Sequence, residues 1–199
     1  MSTPRARSIR RCLSLLSLGA ILLAASAAHA DDDVASTEAA STTPTEAVID
    51  AFVPWEGHGF TYPTGPDQGT FVGTINGIVY IQTEKGPTNG GLMICPAMMD
   101  FSTTTGKQTG SGKCTIAGEE GHRVFAEWSC EGVRFIGCKG TFTITGGTGR
   151  FEGASGSGPM MARASLYLGA AQEPGNIAEE SAHGIMTLDQ LKVVLPGKH

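Results

Sequence analysis

The side chains of this sequence best able to do chemistry are its cysteines, histidines and methionines, and a few charged residues beside one glycine-rich stretch. Cys95, Cys114, Cys130 and Cys138 follow an N-terminal segment of export type. An even number of cysteines in an exported chain reads as two disulfides, with three connectivities open. A zinc site would need a CxxC or HxxxH cluster, and the chain has neither. Hairpin register chooses among the disulfide pairings. A turn about Thr104–Thr105 between strands 90–101 and 107–117 sets Cys95 opposite Cys114. A turn about Arg134 between strands 122–130 and 137–145 sets Cys130 opposite Cys138. Directly opposed strand residues lie within disulfide reach.

No nucleophile motif accompanies these residues. There is no GxSxG, and every cysteine of the exported part has a partner in this scheme. The glycines at 147, 149 and 153 miss GxGxxG by one position, and a strand pattern follows where a helix N-terminus should receive a phosphate. Met98-Met99 and Met160-Met161 suggest a thioether copper site only superficially. Adjacent strand residues face opposite ways and cannot share one ion, so core packing or an adaptable apolar pocket is the better reading. His58, in Trp55-Glu-Gly-His-Gly-Phe-Thr-Tyr62, is a polar candidate for a barrel mouth, although an exposed position on an ordinary first strand is the preferred reading. No metal and no cofactor is expected, and the catalytic residues, if there are any, are unknown.

The elements that must position these side chains read as strands. Of 28 glycines only Gly19 precedes residue 57, a density that disfavours helices and favours short strands with tight turns. Strand patterns occur near 57–62, 69–83, 90–101, 107–117, 122–130, 137–145, 150–168 and 180–194, separated by Gly/Pro/Asn-rich punctuation. About eight strands with no internal repeat point to an all-β sandwich or barrel. A closed antiparallel barrel is preferred because closure removes exposed edges. Val124, Ala126, Trp128 and Cys130 alternate with Arg123, Phe125, Glu127 and Ser129, which makes the first set the interior. Cys138, Gly140, Phe142 and Ile144 share one face as well. Trp128, Val124, Ala126, Phe142 and Ile144 are therefore the candidate pocket lining. Glu127 joins them if the strand register is inverted, and His58 if the first strand turns it inward.

Residues 1–30 read as a signal peptide, with Arg5, Arg7, Arg10 and Arg11, an apolar run and Ala28-His29-Ala30 as cleavage site. The run is short for a retained membrane anchor, and Arg10-Arg11 leaves the choice between general and twin-arginine export open. Removing the segment takes four arginines from the 14 basic residues against 19 acids, so the net charge moves from −5 to −9. Nucleic acid and anionic membranes are poor partners for such a surface. Residues 31–50, opening with Asp31-Asp32-Asp33 and lacking aromatics, read as a disordered acidic leader, and 51–199 as one domain.

The stretch Gly140-Thr-Phe-Thr-Ile-Thr-Gly-Gly-Thr-Gly-Arg-Phe-Glu-Gly-Ala-Ser-Gly-Ser-Gly158 resembles the signature hairpin of the allene oxide cyclase and dirigent families. Gly146, Gly147, Gly149, Phe151 and Gly153 match its turn. The resemblance implies a small antiparallel barrel of calycin-like type and self-association, trimers being the form of allene oxide cyclases. It carries over no catalytic residue. The early strand Gly69–Tyr80 lacks the Glu-x-Asn pattern of the cyclases, and the acidic pocket residues of dirigent proteins are not recognisable. Three functions remain in view: an exported barrel binding a small, mainly apolar molecule, an isomerase or cyclase acting on a hydrophobic substrate, and a structural or surface protein with a filled barrel.

Overall fold

A computed structural model describes residues 43–169 and 176–197. The proposed signal peptide, its cleavage site and the leader up to residue 42 lie outside the described residues. Eight antiparallel strands follow one another: β1 (Thr45–Gly65), β2 (Gln68–Thr83), β3 (Gly86–Ser102), β4 (Lys107–Ala117), β5 (Arg123–Val133), β6 (Gly137–Gly147), β7 (Ser155–Gly169) and β8 (Ala178–Leu195). Each pairs with the next and β8 closes on β1, giving a closed barrel. Closure leaves no free edge among these strands.

Beside small extensions, such as β3 starting at Gly86 and β5 ending at Val133, two starts differ from those read in the sequence. β1 begins at Thr45, inside the stretch assigned to the leader, and Thr45–Ile49 pairs with Leu195–Leu191. A window of twenty mostly polar residues masks Val48-Ile49. Once β8 offers its backbone, Ile49 packs against the core and the short segment is held. β7 begins at Ser155 and not near 150, because a short 3-10 turn occupies Gly149–Phe151. In that turn Gly149 (φ 59°) and Gly153 (φ 75°) take the left-handed conformation. Gly147 serves a different need, close approach: a Cβ there would come within 2.5 Å of the Phe151 Cβ and 2.6 Å of the Arg123 carbonyl oxygen. The Thr148 hydroxyl accepts a hydrogen bond from the Arg123 amide at 3.1 Å, tying the turn to the start of β5.

The two disulfides join Cys95 to Cys114 and Cys130 to Cys138. The first pair spans β3 and β4 in the expected register, between Ile94↔Thr115 and Ala97↔Gly112, with Cα atoms 4.1 Å apart. The second is a correction to the register argument. β5 and β6 pair two residues away from the expected alignment, so that Cys130 lies opposite Gly140 and Cys138 opposite Gly132. The bond is therefore diagonal, with Cα atoms 5.6 Å apart. A shift of two keeps every side chain on its face. The glycines make the diagonal fit, since a Cβ on Gly132 would come 2.6 Å from the Cys138 Cα and one on Gly140 the same distance from the Cys130 Cα.

The interior divides along the barrel axis. Toward the β2–β3 turn and the β6–β7 connection it is filled by Ala51, Val53, Val79, Met93, Cys95, Leu188 and Leu191, all buried, above a mid-barrel layer containing Phe142. Toward the other end, where β5 turns into β6, it is hollow.

Candidate functional site

A cavity of about 100 Å³ occupies the hollow end, several times the space a single water requires. Rings and thioethers make much of its wall, among them Trp55, Phe71, Phe101, Trp128, Met160 and Met186. Both indoles rest on cross-strand glycines. Trp55 is paired with Gly184 of β8 and Trp128 with Gly112 of β4. A Cβ on Gly184 would stand 2.5 Å from the Trp55 ring, and one on Gly112 would stand 2.6 Å from Trp128 Nε1. A bare glycine wall lets a large ring lie along the sheet and cover it. β1 and β5 are four strands apart in a ring of eight, so the two indoles face the cavity from opposite sides. Both indole N–H groups are buried and lack a hydrogen-bond partner among the described residues.

The polar part of the wall is concentrated at the β5–β6 turn. Arg134 Nη2 donates to Glu180 Oε1 at 2.5 Å, and the two side chains retain only 13% and 6% of their exposure. The guanidinium lies 3.5 Å over the centroid of Phe101 and 4.5 Å over that of Phe135, in cation–π range of both. The same nitrogen reaches the Tyr167 hydroxyl at 3.5 Å, and the Tyr167 ring meets Phe135 edge-on with centroids 4.3 Å apart. Phe135 holds φ 66°, unusual for a bulky side chain, and that conformation turns the chain between Arg134 and Ile136. The Cys130–Cys138 bond brackets this turn, and Cys138 itself lines the cavity. Burial and the neighbouring Glu180 carboxylate, to which its hydroxyl is hydrogen-bonded, push the Tyr167 phenol far above its ordinary range. Tyr167 is therefore a neutral hydrogen-bond donor at any physiological pH. Among the described residues, Arg134 and Glu180 are the only ionised side chains on the cavity wall.

Neither a family model nor a curated protein matches the sequence. Among solved structures, the chain is similar to the pterocarpan synthase dirigent protein GePTS1, with 12% identity over 75% of this chain and 88% of that one and a TM-score of 0.30. At that score the two backbones diverge too far for anything to be transferred from one to the other. The eight-stranded closed barrel stands on its own pairing.

The candidate lining residues separate into three groups. Trp128 lines the cavity. Ala126, Phe142 and Ile144 are buried on the same inner face, and Val124 is half-buried there, but all four pack into the core away from the hollow. Glu127 and His58 are corrections to the list: both are exposed on the outside of the barrel. Strand alternation puts Glu127 out because Trp128 is in, and it pairs with Lys113 beside an outer groove over β3–β6. Trp128 is the one described residue that borders both this groove and the inner cavity. His58 pairs with Thr74 and Ser181, one residue out of phase with the inward Gly57. The turn residues Gly146, Gly147, Gly149, Phe151 and Gly153 sit at the filled end, remote from the cavity wall.

Arg134, Tyr167, Glu180 and Trp55 were missed as site residues. One signal for Glu180 is present in the sequence, because it is in phase with Ala178, Ala182, Met186 and Leu188, a small-and-apolar inward row interrupted by one acid. Tyr167 has no such signal. A register shift between Ala164 and Leu166 moves it out of phase with Met160, Ala162 and Ala164.

Proposed function

We propose that this is an exported binding protein whose barrel holds a small, mainly apolar molecule in its hollow end. The observation that carries the reading is the cavity itself: walls of rings and methionines converging on one buried Arg134–Glu180 pair. An apolar pocket with a few convergent polar groups is the usual form of a small-molecule site. The cavity weighs against a filled barrel. Export to an oxidising compartment belongs to the same proposal, supported by the two disulfides and by the signal-like N-terminus.

The chain has two tryptophans, both on the cavity wall, so its indole N–H spectrum contains two reporters and both watch the site. Titration of ¹⁵N-labelled protein with naphthalene is expected to shift both signals saturably. Two unmoved signals at saturating naphthalene would overturn the reading. A second reading, an isomerase or cyclase acting on a hydrophobic substrate, is favoured by one observation. Tyr167, a neutral phenol able to donate a hydrogen bond, stands beside the Glu180 carboxylate in an apolar cavity, a donor and a carboxylate that one substrate could meet together.

A further inference from the structure

The hollow end carries one positive and one negative side chain, and their balance constrains what can enter. Arg134 and Glu180 are held against each other in a wall otherwise made of rings, methionines, small residues, Ile75 and the uncharged Gln108. Tyr167 stays neutral beside them. A charged guest would add a third charge to a site that already holds a compensated pair, and an uncompensated charge in such surroundings is costly. A guest with no polar end would leave hydrogen-bonding capacity unused. Arg134 engages its neighbours through Nη2, while Nη1 and Nε have no partner among the described residues. Glu180 already accepts from Arg134 and from the Tyr167 hydroxyl, and a carboxylate has lone pairs for a further donor. The polar side chains on the wall (Gln108, Arg134, Tyr167, Glu180) belong to the strand ends near the β5–β6 turn, whereas Trp55, Ile75, Trp128, Met160 and Met186 line the part further from it.

We infer that the cavity is selective for neutral, flat molecules with an apolar ring body and one polar end that offers a donor and an acceptor side by side, as a carboxamide or lactam does. The acceptor oxygen takes a free Arg134 N–H, the donor N–H is directed to Glu180, and the ring body lies between the two indoles. This rests on the reading of the cavity as a binding site.

Four probes of one ring system separate the two claims: naphthalene, 2-naphthamide, 2-naphthoate and 2-naphthylmethylammonium, each titrated calorimetrically against the disulfide-bonded protein. 2-Naphthamide is expected to bind tightest, with the anion and the cation each weaker by about tenfold or more, since a charge mismatch exceeds one hydrogen bond in cost. Glu180→Gln, which keeps the shape and leaves the site with a net positive charge, is expected to turn the preference toward 2-naphthoate. Arg134→Met is expected to turn it toward the ammonium probe. Binding of either charged probe to the unsubstituted protein as tightly as the amide overturns the inference, as does an unchanged order of preference in Glu180→Gln. If naphthalene binds as well as the amide, the site reading stands and the polar-end inference fails. If none of the four binds, the site reading fails and the inference with it.

Discussion

The two ends of this barrel are walled by the same eight strands, yet one is packed and the other is hollow. At the packed end the inward positions carry Val53, Val79, Met93, Leu188 and Leu191, side chains that project toward the axis and interdigitate. At the hollow end they carry Trp55 and Trp128, whose indoles lie on Gly184 and Gly112 of the neighbouring strands. A ring laid along the wall buries much area and fills little of the axis. The contrast shows that a cavity need not come from small side chains. Large ones serve, provided that glycine lets them lie flat. The ends also differ in what holds their turns. The β6–β7 connection relies on glycine conformations and a close backbone approach, whereas the β5–β6 turn relies on a disulfide, a positive-φ phenylalanine and a buried ion pair.

Truncating a ring in each region tests this contrast most strongly. Phe142 is 1% exposed in the layer that supports the packed end, and Phe142→Ala should destabilise by about 3–5 kcal/mol in denaturant unfolding. Phe71→Ala at the edge of the hollow should cost less, because the space it vacates joins an existing void. Equal costs would mean that the hollow end is packed as tightly as the other.

The disulfides come next. Each should contribute about 2–4 kcal/mol, and the bond closing 19 residues, Cys95–Cys114, should exceed the one closing 8, Cys130–Cys138, by about 1 kcal/mol in the chain-entropy account. The local consequence should run the other way. Replacing Cys130 and Cys138 by alanine should move the Trp128 indole signal, whereas the other double replacement should perturb the packed end. Identical spectral effects would remove the distinction between the two bonds.

At the β6–β7 connection, Gly147→Val should cost more than about 1 kcal/mol through collision with Phe151 and the Arg123 carbonyl, while Thr148→Ser keeps its hydroxyl and should be nearly neutral. Neither should alter ligand binding at the far end, and a change there would show that the two ends are coupled.

The smallest effect concerns alkaline pH. The Tyr167 phenol titrates higher in the folded protein than its ordinary value of 10.0, so above that pH the unfolded chain loses a proton that the folded one keeps. Stability should therefore fall as pH rises through and beyond 10, and Tyr167→Phe should flatten that decline. An unchanged alkaline slope in the variant would place Tyr167 outside the buried cluster.

Much of the fold was legible in the sequence, but of the cavity wall only Trp128 was. Alternation identified Ala126, Trp128, Phe142 and Ile144 as inward, and glycine-rich punctuation marked most of the connections, because both signals are local consequences of backbone geometry. The cysteine pairing was legible too, although in β5–β6 the right bond followed from a register two residues off. A shift by an even number preserves faces, and Gly132 and Gly140 made room for the diagonal. The most conspicuous motif, the Gly146–Gly153 turn, proved to be architecture at the packed end.

By itself, then, the sequence determined that the chain is all-β with about eight strands, which faces of those strands turn inward and which cysteines can meet. All of these depend on residues near one another along the chain or on neighbouring strands. Only the tertiary structure decided where the interior is empty and what stands beside the empty space. Arg134 and Glu180 lie 46 residues apart, on a turn and a strand that share no hairpin. They meet because the barrel closes, and closure is a property of all eight strands together, which no local pattern records.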